Sequence, residues 1–239
     1  MIPKIIHYCW FGNKQIPERE QGCMATWEAM LSDYQIMRWD ENNFDVNSNP
    51  FTKEAYRLKK YAFVADYVRL HALTTCGGIY LDTDIEIVKS FDELLEQHKA
   101  IGGFETPQVL QTGMLACEKH NDVFEVFFAY YKTHQFVWGG ESATPPNSAI
   151  FARLMMERGL KLDNTYQKID GVAIYPQEYF CPIDQGSRQI ISTENTYCIH
   201  YLMGSWFPRK IRWKNNLKRF IGKYVSYNFV NAIRHLLRK

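Results

Sequence analysis

Two carboxylates one residue apart, Asp82 and Asp84, lie in "GGIYLDTDIEIV" (77–88), a run whose other residues read as buried strand. Side chains alternate faces along an extended strand, so this spacing turns both aspartates one way and Thr83 the other. Two like charges in an apolar setting are costly unless a cation neutralises them. Oxygen ligands of this kind favour Mg²⁺ or Mn²⁺, which keep open positions for water and phosphate oxygens. A solvated turn is the bland reading of the same residues, but the flanking "GGIYL" and "IEIV" are too apolar for it. One helix upstream, "YAFVADYVRLHAL" is apolar almost all round, and within it Asp66 and Arg69 stand three apart on one face. A surface ion pair would need a polar helix around it, so these two charges are better explained by a polar ligand that both hydrogen-bond.

The elements that must position these groups alternate between strand and helix. "KIIHYCWFG" (4–12) and "YQIMRWD" (34–40) read as strands with a helical stretch between them, a βαβ opening that points to an α/β fold with a mostly parallel sheet. Residues 52–75 carry no Gly or Pro and read as one helix stopped by Gly77 and Gly78. Ser90 and Glu93 have capping-box spacing ahead of "DELLEQH". Strands are expected in "AIGGFE" and "QTGMLACEK" and near 172–175 and 196–201, with helices over "NDVFEVFFAYYKTH" and near 147–158.

With 239 residues, 46% of them hydrophobic, the chain fits a single α/β domain with a small appendage, here 1–208 and 209–239. Six scattered cysteines lack metal or redox spacing and read as buried free thiols. A leader segment and a spanning helix are not expected, which points to the cytoplasm. Charge is uneven: ten basic and no acidic residues follow Glu194, leaving 18 basic against 26 acidic residues in 1–194. From Leu217 onward apolar residues recur at three and four residue steps with bases between them. That pattern fits a basic amphipathic helix on the inner face of an anionic membrane, or a terminal helix packed on the domain. Nucleic acid is not the expected partner, because no binding module accompanies the charge.

Five blocks in order, "IPKIIHYCWFG", "WDENNF", the run 53–88, "YPQEYFCP" and "TYCIHYLMGSW", resemble the DXD-containing glycosyltransferases of family 32, found in bacterial capsule and lipopolysaccharide clusters. Yeast α-mannosyltransferases that initiate outer chains, and more distantly the clostridial glucosylating toxins, are similar. The resemblance spans about residues 2–207 and implies a GT-A type, Rossmann-like fold binding a nucleotide sugar, UDP-linked by preference and GDP-linked as the alternative. It implies Mn²⁺ or Mg²⁺ held by Asp84 directly and by Asp82 partly through water, with His200 completing the shell. Asp66 and Arg69 match the pair that holds sugar hydroxyls, Tyr80 lines the same pocket, Trp10 matches a base-stacking tryptophan, and Ser205 and Trp206 match diphosphate contacts. Tyr201 stands where many members carry a second histidine. Members retain anomeric configuration, and Glu105, Glu141 and Asp163 are the carboxylates open to a nucleophile role; front-face displacement is the preferred route. The acceptor, a glycan or lipid-linked oligosaccharide of surface polysaccharide synthesis, is expected at 111–113 and 138–147. A non-catalytic nucleotide-sugar or glycan-binding module and a DxD phosphohydrolase are the alternatives.

Overall fold

The computed structural model describes residues 1–184, 186–187 and 189–203. The chain opens with β1 (Ile5–Cys9), α1 (Glu18–Met30) and β2 (Gln35–Trp39), followed by α2 (Pro50–Arg57) and α3 (Tyr61–Cys76). Next come β3 (Gly78–Leu81), β4 (Ile85–Ile87), α4 (Asp92–Gln97), β5 (Ala100–Thr106), β6 (Val109–Leu110) and β7 (Met114–Cys117). The last described elements are α5 (Asp122–Thr133), α6 (Asn147–Met156), β8 (Gln167–Ile169), β9 (Val172–Tyr175), α7 (Gln177–Phe180) and β10 (Cys198–His200).

Eight strands form one sheet in the order β2-β1-β3-β7-β5-β9-β8, with β6 on β5. The pairings make β1, β2, β3, β5 and β9 run one way and β6, β7 and β8 the other, so the sheet is mostly parallel, as expected. Strand alternation splits the core in two. Tyr80, Leu115, Val172 and Ile174 pack on one face with α2, α3, α5 and α6. Ile79, Leu81, Met114, Ala116 and Ala173 pack on the other with Trp27 of α1 and Leu94 of α4. Both faces covered is what the near-continuous apolar strands require.

Several expectations are corrected. The single helix over 52–75 is two, because α2 closes on itself: Lys59 N–H donates to Tyr56 O (2.9 Å) and Lys60 N–H to Ala55 O (2.8 Å). Lys59 takes φ +56° to do so, a left-handed conformation costing about 1 kcal/mol in a non-glycine residue. The corner lets Phe51 and Ala55 of α2 and Phe63 and Val64 of α3 reach one core. Asp82 to Asp84 form a turn rather than extended strand, with Ile85 N–H donating to Asp82 O (3.1 Å), and β4 leaves the main sheet to pair with β10. The reciprocal capping box is not made: Ser90 Oγ accepts from Asp92 N–H (3.2 Å), while Glu93 accepts from Gln97 and Tyr197. All six cysteines are free, four buried and Cys9 and Cys76 half-buried. The expected tail 209–239, Ser205 and Trp206 lie outside the described residues. Among the described residues no helix is long and apolar enough to cross a membrane.

Candidate active site

The carboxyl ends of β1 and β3 meet the start of β7 at one edge of the sheet, the edge where open α/β sheets bind ligands. The turn at Asp82 hangs from this edge, its N–H donating to Gly113 O (2.8 Å) just before β7. β10 then runs antiparallel to β4 and delivers His200 opposite Ile85. Ligand atoms of Asp82, Asp84 and His200 all lie within 4.8 Å of one another. His200 Nε2 is 3.3 Å from Asp84 Oδ1 and 3.7 Å from Asp82 Oδ2.

Electrostatics bind the three together. Burial would lower the His200 pKa, but the charge and hydrogen bond of Asp84, with the charges of Asp82 and Glu105, raise it to about 9. Burial likewise works against the Asp84 carboxylate, and His200 with the Met203 N–H (2.7 Å) holds it below the usual range. In the metal-free chain the two carboxylates thus favour the protonated imidazole. Two carboxylate oxygens and one imidazole nitrogen form a donor set that suits a divalent ion. The backbone is shaped for the cluster too. A Cβ at Gly113 would collide with His200 Cε1 and lie 2.8 Å from its Nδ1 and 2.9 Å from Asp82 Oδ2. Only glycine leaves that room. His200 Nδ1 is buried without a partner, so the ring is free of a competing anchor.

Beside the cluster, α3 presents Arg69, 5% exposed. Its guanidinium donates to Thr112 O, pairs with Asp66 Oδ1 (3.1 Å) and Asp82 Oδ1 (3.4 Å), and lies 4.4 Å from the Tyr80 ring centre. Tyr80 O–H in turn donates to Asp82 Oδ1 (3.0 Å). Desolvation raises the Asp66 pKa to about 7 against the pull of Arg69, with Asp82 adding to the rise. One arginine therefore ties the helix, the strand and the loop before β7 to the first aspartate.

Trp10 stands just past β1, half-buried, with its N–H on Trp39 O (2.9 Å) and Nε1–H on Lys14 O (2.6 Å). Glu41 Oε1 accepts from Gly12 N–H (2.6 Å) and from Tyr56 O–H (2.9 Å), pinning the loop that carries this indole. Tyr201 meets the cluster through its backbone, its N–H donating to Asp84 O (3.1 Å). Its O–H donates to Glu86 Oε2 (2.5 Å) and its ring lies under Arg19. Of the three carboxylates considered as nucleophile, Glu105 sits at a register shift of β5 between Phe104 and Thr106, half-buried, and its charge acts on His200. Glu141 is exposed in a loop, and Asp163 is exposed in a turn that bonds Thr165 and Gln167.

The structure thus brings Asp66, Arg69, Tyr80, Asp82, Asp84 and His200 together. Sequence reasoning missed the Met203 N–H, the Thr112 carbonyl and Glu41. The first two are backbone groups with no residue-type signature, and the "WDENNF" block was the available signal for the third.

Comparison with known proteins bears on the same region. Residues 17–101, which include Asp66, Arg69, Asp82 and Asp84, match the family model described as a glycosyltransferase sugar-binding region containing a DXD motif. Inositol phosphoceramide mannosyltransferase 3 of Schizosaccharomyces pombe is 35% identical over 98 residues, 39% of this chain and 27% of that protein. An uncharacterized glycosyltransferase of Acanthamoeba polyphaga mimivirus is 25% identical over 246 aligned positions, 92% of each chain. The chain thus spans about a quarter of the yeast relative and nearly all of the viral one. Among solved structures, the glycosyltransferase GlyE of Streptococcus pneumoniae superposes with a TM-score of 0.51 at 12% identity, over 96% of this chain and 62% of that one. Residues 17–101 are therefore similar to the sugar-binding region of DXD glycosyltransferases, and the chain as a whole has the GT-A fold.

Proposed function

We propose that this chain is a metal-dependent, retaining glycosyltransferase that moves a sugar from a nucleotide diphosphate donor to a glycan or lipid-linked acceptor in surface polysaccharide synthesis. The carrying observation is the convergence of Asp82, Asp84 and His200 around a cradle kept open by Gly113. Asp84, His200 and Asp82 would hold Mn²⁺ or Mg²⁺, and the imidazole favours Mn²⁺ over Mg²⁺. A divalent cation supplies charge neutralisation for the departing nucleoside diphosphate.

The chain's own residues do the rest. Asp66 and Arg69 orient the sugar, and Arg69 keeps Asp82 turned toward the cluster. Trp10 offers a face to the base of a UDP or, alternatively, a GDP donor, with Ser205 and Trp206 proposed at the diphosphate. The acceptor enters by the 138–147 loop, where Trp138 is 48% exposed beside Phe63 and Lys60. The basic segment 209–239 would hold the enzyme at the inner face of a membrane and so near a lipid-linked acceptor. The test is donor turnover with Mn²⁺ across a panel of UDP- and GDP-sugars. Turnover lost in Asp84→Ala supports the transferase. Donor binding without turnover in the wild type points to a binding module, and phosphate release from simple monoesters points to a hydrolase.

A further inference from the structure

The short strand β4 follows directly on Asp84 and stands apart from the main sheet. One of its edges pairs with β10, and the other is met by side chains of α1: Trp27 Nε1–H donates to Ile85 O (2.7 Å), and Thr26 Oγ1 accepts from Ile87 N–H (2.8 Å). Backbone groups that a neighbouring strand would satisfy are here satisfied by a helix. Asp84 therefore leads into a strand fixed on both sides.

His200 pairs with Ile85 in this ribbon, so alternation sends the next side chain, Tyr201, to the opposite face. There its O–H donates to Glu86 Oε2 (2.5 Å), and its ring centre lies 5.1 Å from the Arg19 guanidinium of α1. Its N–H extends the ladder to Asp84 O (3.1 Å). Leu202 then takes φ +52°, a left-handed conformation that a leucine keeps only where its surroundings impose it. The reversal brings the chain back onto the aspartate: Met203 N–H donates to Asp84 Oδ2 (2.7 Å), while Asp84 Oδ1 faces His200 Nε2 at 3.3 Å. One carboxylate oxygen is anchored and the other is aimed into the cluster.

We propose that Tyr201 and Glu86 are positioning residues whose hydrogen bond holds the Leu202 reversal, keeping Met203 N–H on one oxygen of Asp84 and presenting the other oxygen to a divalent cation. Neither supplies a ligand atom. Hydrogen bonds to a ligating carboxylate fix its orientation, and removing that support lowers metal affinity. This inference rests on the metal-dependent reading above and goes beyond it by giving a task to two residues outside the Asp82, Asp84 and His200 cluster.

The test is Mn²⁺ titration of the full chain by electron paramagnetic resonance, with amide hydrogen exchange at Met203 read separately in chelator. Tyr201→Phe keeps the ring and deletes the O–H, and is expected to weaken Mn²⁺ binding by about tenfold or more, the scale of losing a supporting group. Exchange at Met203 should quicken in the same variant with no metal present. Glu86→Leu should repeat both effects, whereas Glu86→Gln, which still accepts the O–H, should hold Mn²⁺ affinity within about threefold. The double variant Tyr201→Phe/Glu86→Leu should lose no more than either alone, as two partners in one bond require. Should Tyr201→Phe fail to fold, the two Glu86 variants carry the same comparison. Wild-type Mn²⁺ affinity in Tyr201→Phe overturns the proposal alone, as does a loss in Glu86→Gln equal to that in Glu86→Leu, which would make charge rather than the bond the cause. A wild-type chain that binds no Mn²⁺ overturns the metal-dependent reading and the proposal together.

Discussion

His7 in β1 and His200 in β10 are both buried, 0% and 6% exposed, and they are chemically unlike. Both ring nitrogens of His7 are occupied: Nε2–H donates to Gly77 O (2.8 Å) and Nδ1 accepts from Trp39 Nε1–H (3.2 Å). Burial lowers its pKa, and the neutral ring that results is a satisfied core group. His200 faces two carboxylates through Nε2 and nothing through Nδ1, and those carboxylates raise its pKa to about 9. Burial is common to both rings, so what separates a structural histidine from a ligand candidate is the partner set.

Removing groups at the two places should therefore break different properties. Asp84→Ala or His200→Ala is expected to cut metal-dependent turnover by about a hundredfold or more, the scale of losing one charge-stabilising group at a reaction centre. Steady-state rates at saturating Mn²⁺ check this. His7→Ala should instead strand Trp39 N–H and Gly77 C=O in the core and cost about 3 kcal/mol of stability. Its thermal midpoint should fall while Mn²⁺ affinity holds; loss of metal with the fold intact would erase the distinction.

Gly113→Ala is expected to lower Mn²⁺ affinity by about tenfold to a hundredfold, since a Cβ there must displace His200 or Asp82, and supporting groups act on this scale. Metal titration of the purified variant reads it directly.

Two smaller effects depend on pH. For His200 the folded pKa of about 9 lies above the ordinary 6.5, so its stabilisation of the metal-free chain is complete below pH 6.5 and is lost as pH rises through 9. His7, lowered by burial, acts in the opposite sense: its contribution holds above pH 6.5 and is lost as pH falls below it. Unfolding midpoints in chelator across that range should show both slopes, and His200→Asn should remove the alkaline one. Burial raises the Asp66 pKa to about 7, so its carboxylate loses charge as pH falls below neutrality. Donor affinity should fall by up to about tenfold per unit below pH 7 and flatten in Asp66→Asn.

How much of this was legible in the residues follows from what each group is. Strands β1, β2, β5, β7 and β9 are short apolar runs bounded by turn residues, and such runs announce themselves. The α2–α3 corner did not, because it closes on Lys59, a residue with no preference for φ +56°. The Asp82–Asp84 pair was legible by type and spacing, although the geometry that joins the two is a turn and not a strand. His200 could be placed only by the company of "YLMGSW", since its partners are more than a hundred residues away in the chain. Gly113 and the Met203 N–H act through missing atoms and backbone, which residue type does not reveal. Gln111 is the reverse case: its type is visible, but its lack of partners is a property of the packed fold.

The most direct test of the central claim is Mn²⁺ binding to the full chain followed by electron paramagnetic resonance, with proton release measured alongside at pH 7.5. One ion per chain is expected, displacing about one proton from His200, with binding lost in both Asp84→Asn and His200→Asn. Unchanged Mn²⁺ binding in those variants, or no binding to the wild type with UDP present, would contradict the assignment of Asp82, Asp84 and His200 as the metal centre.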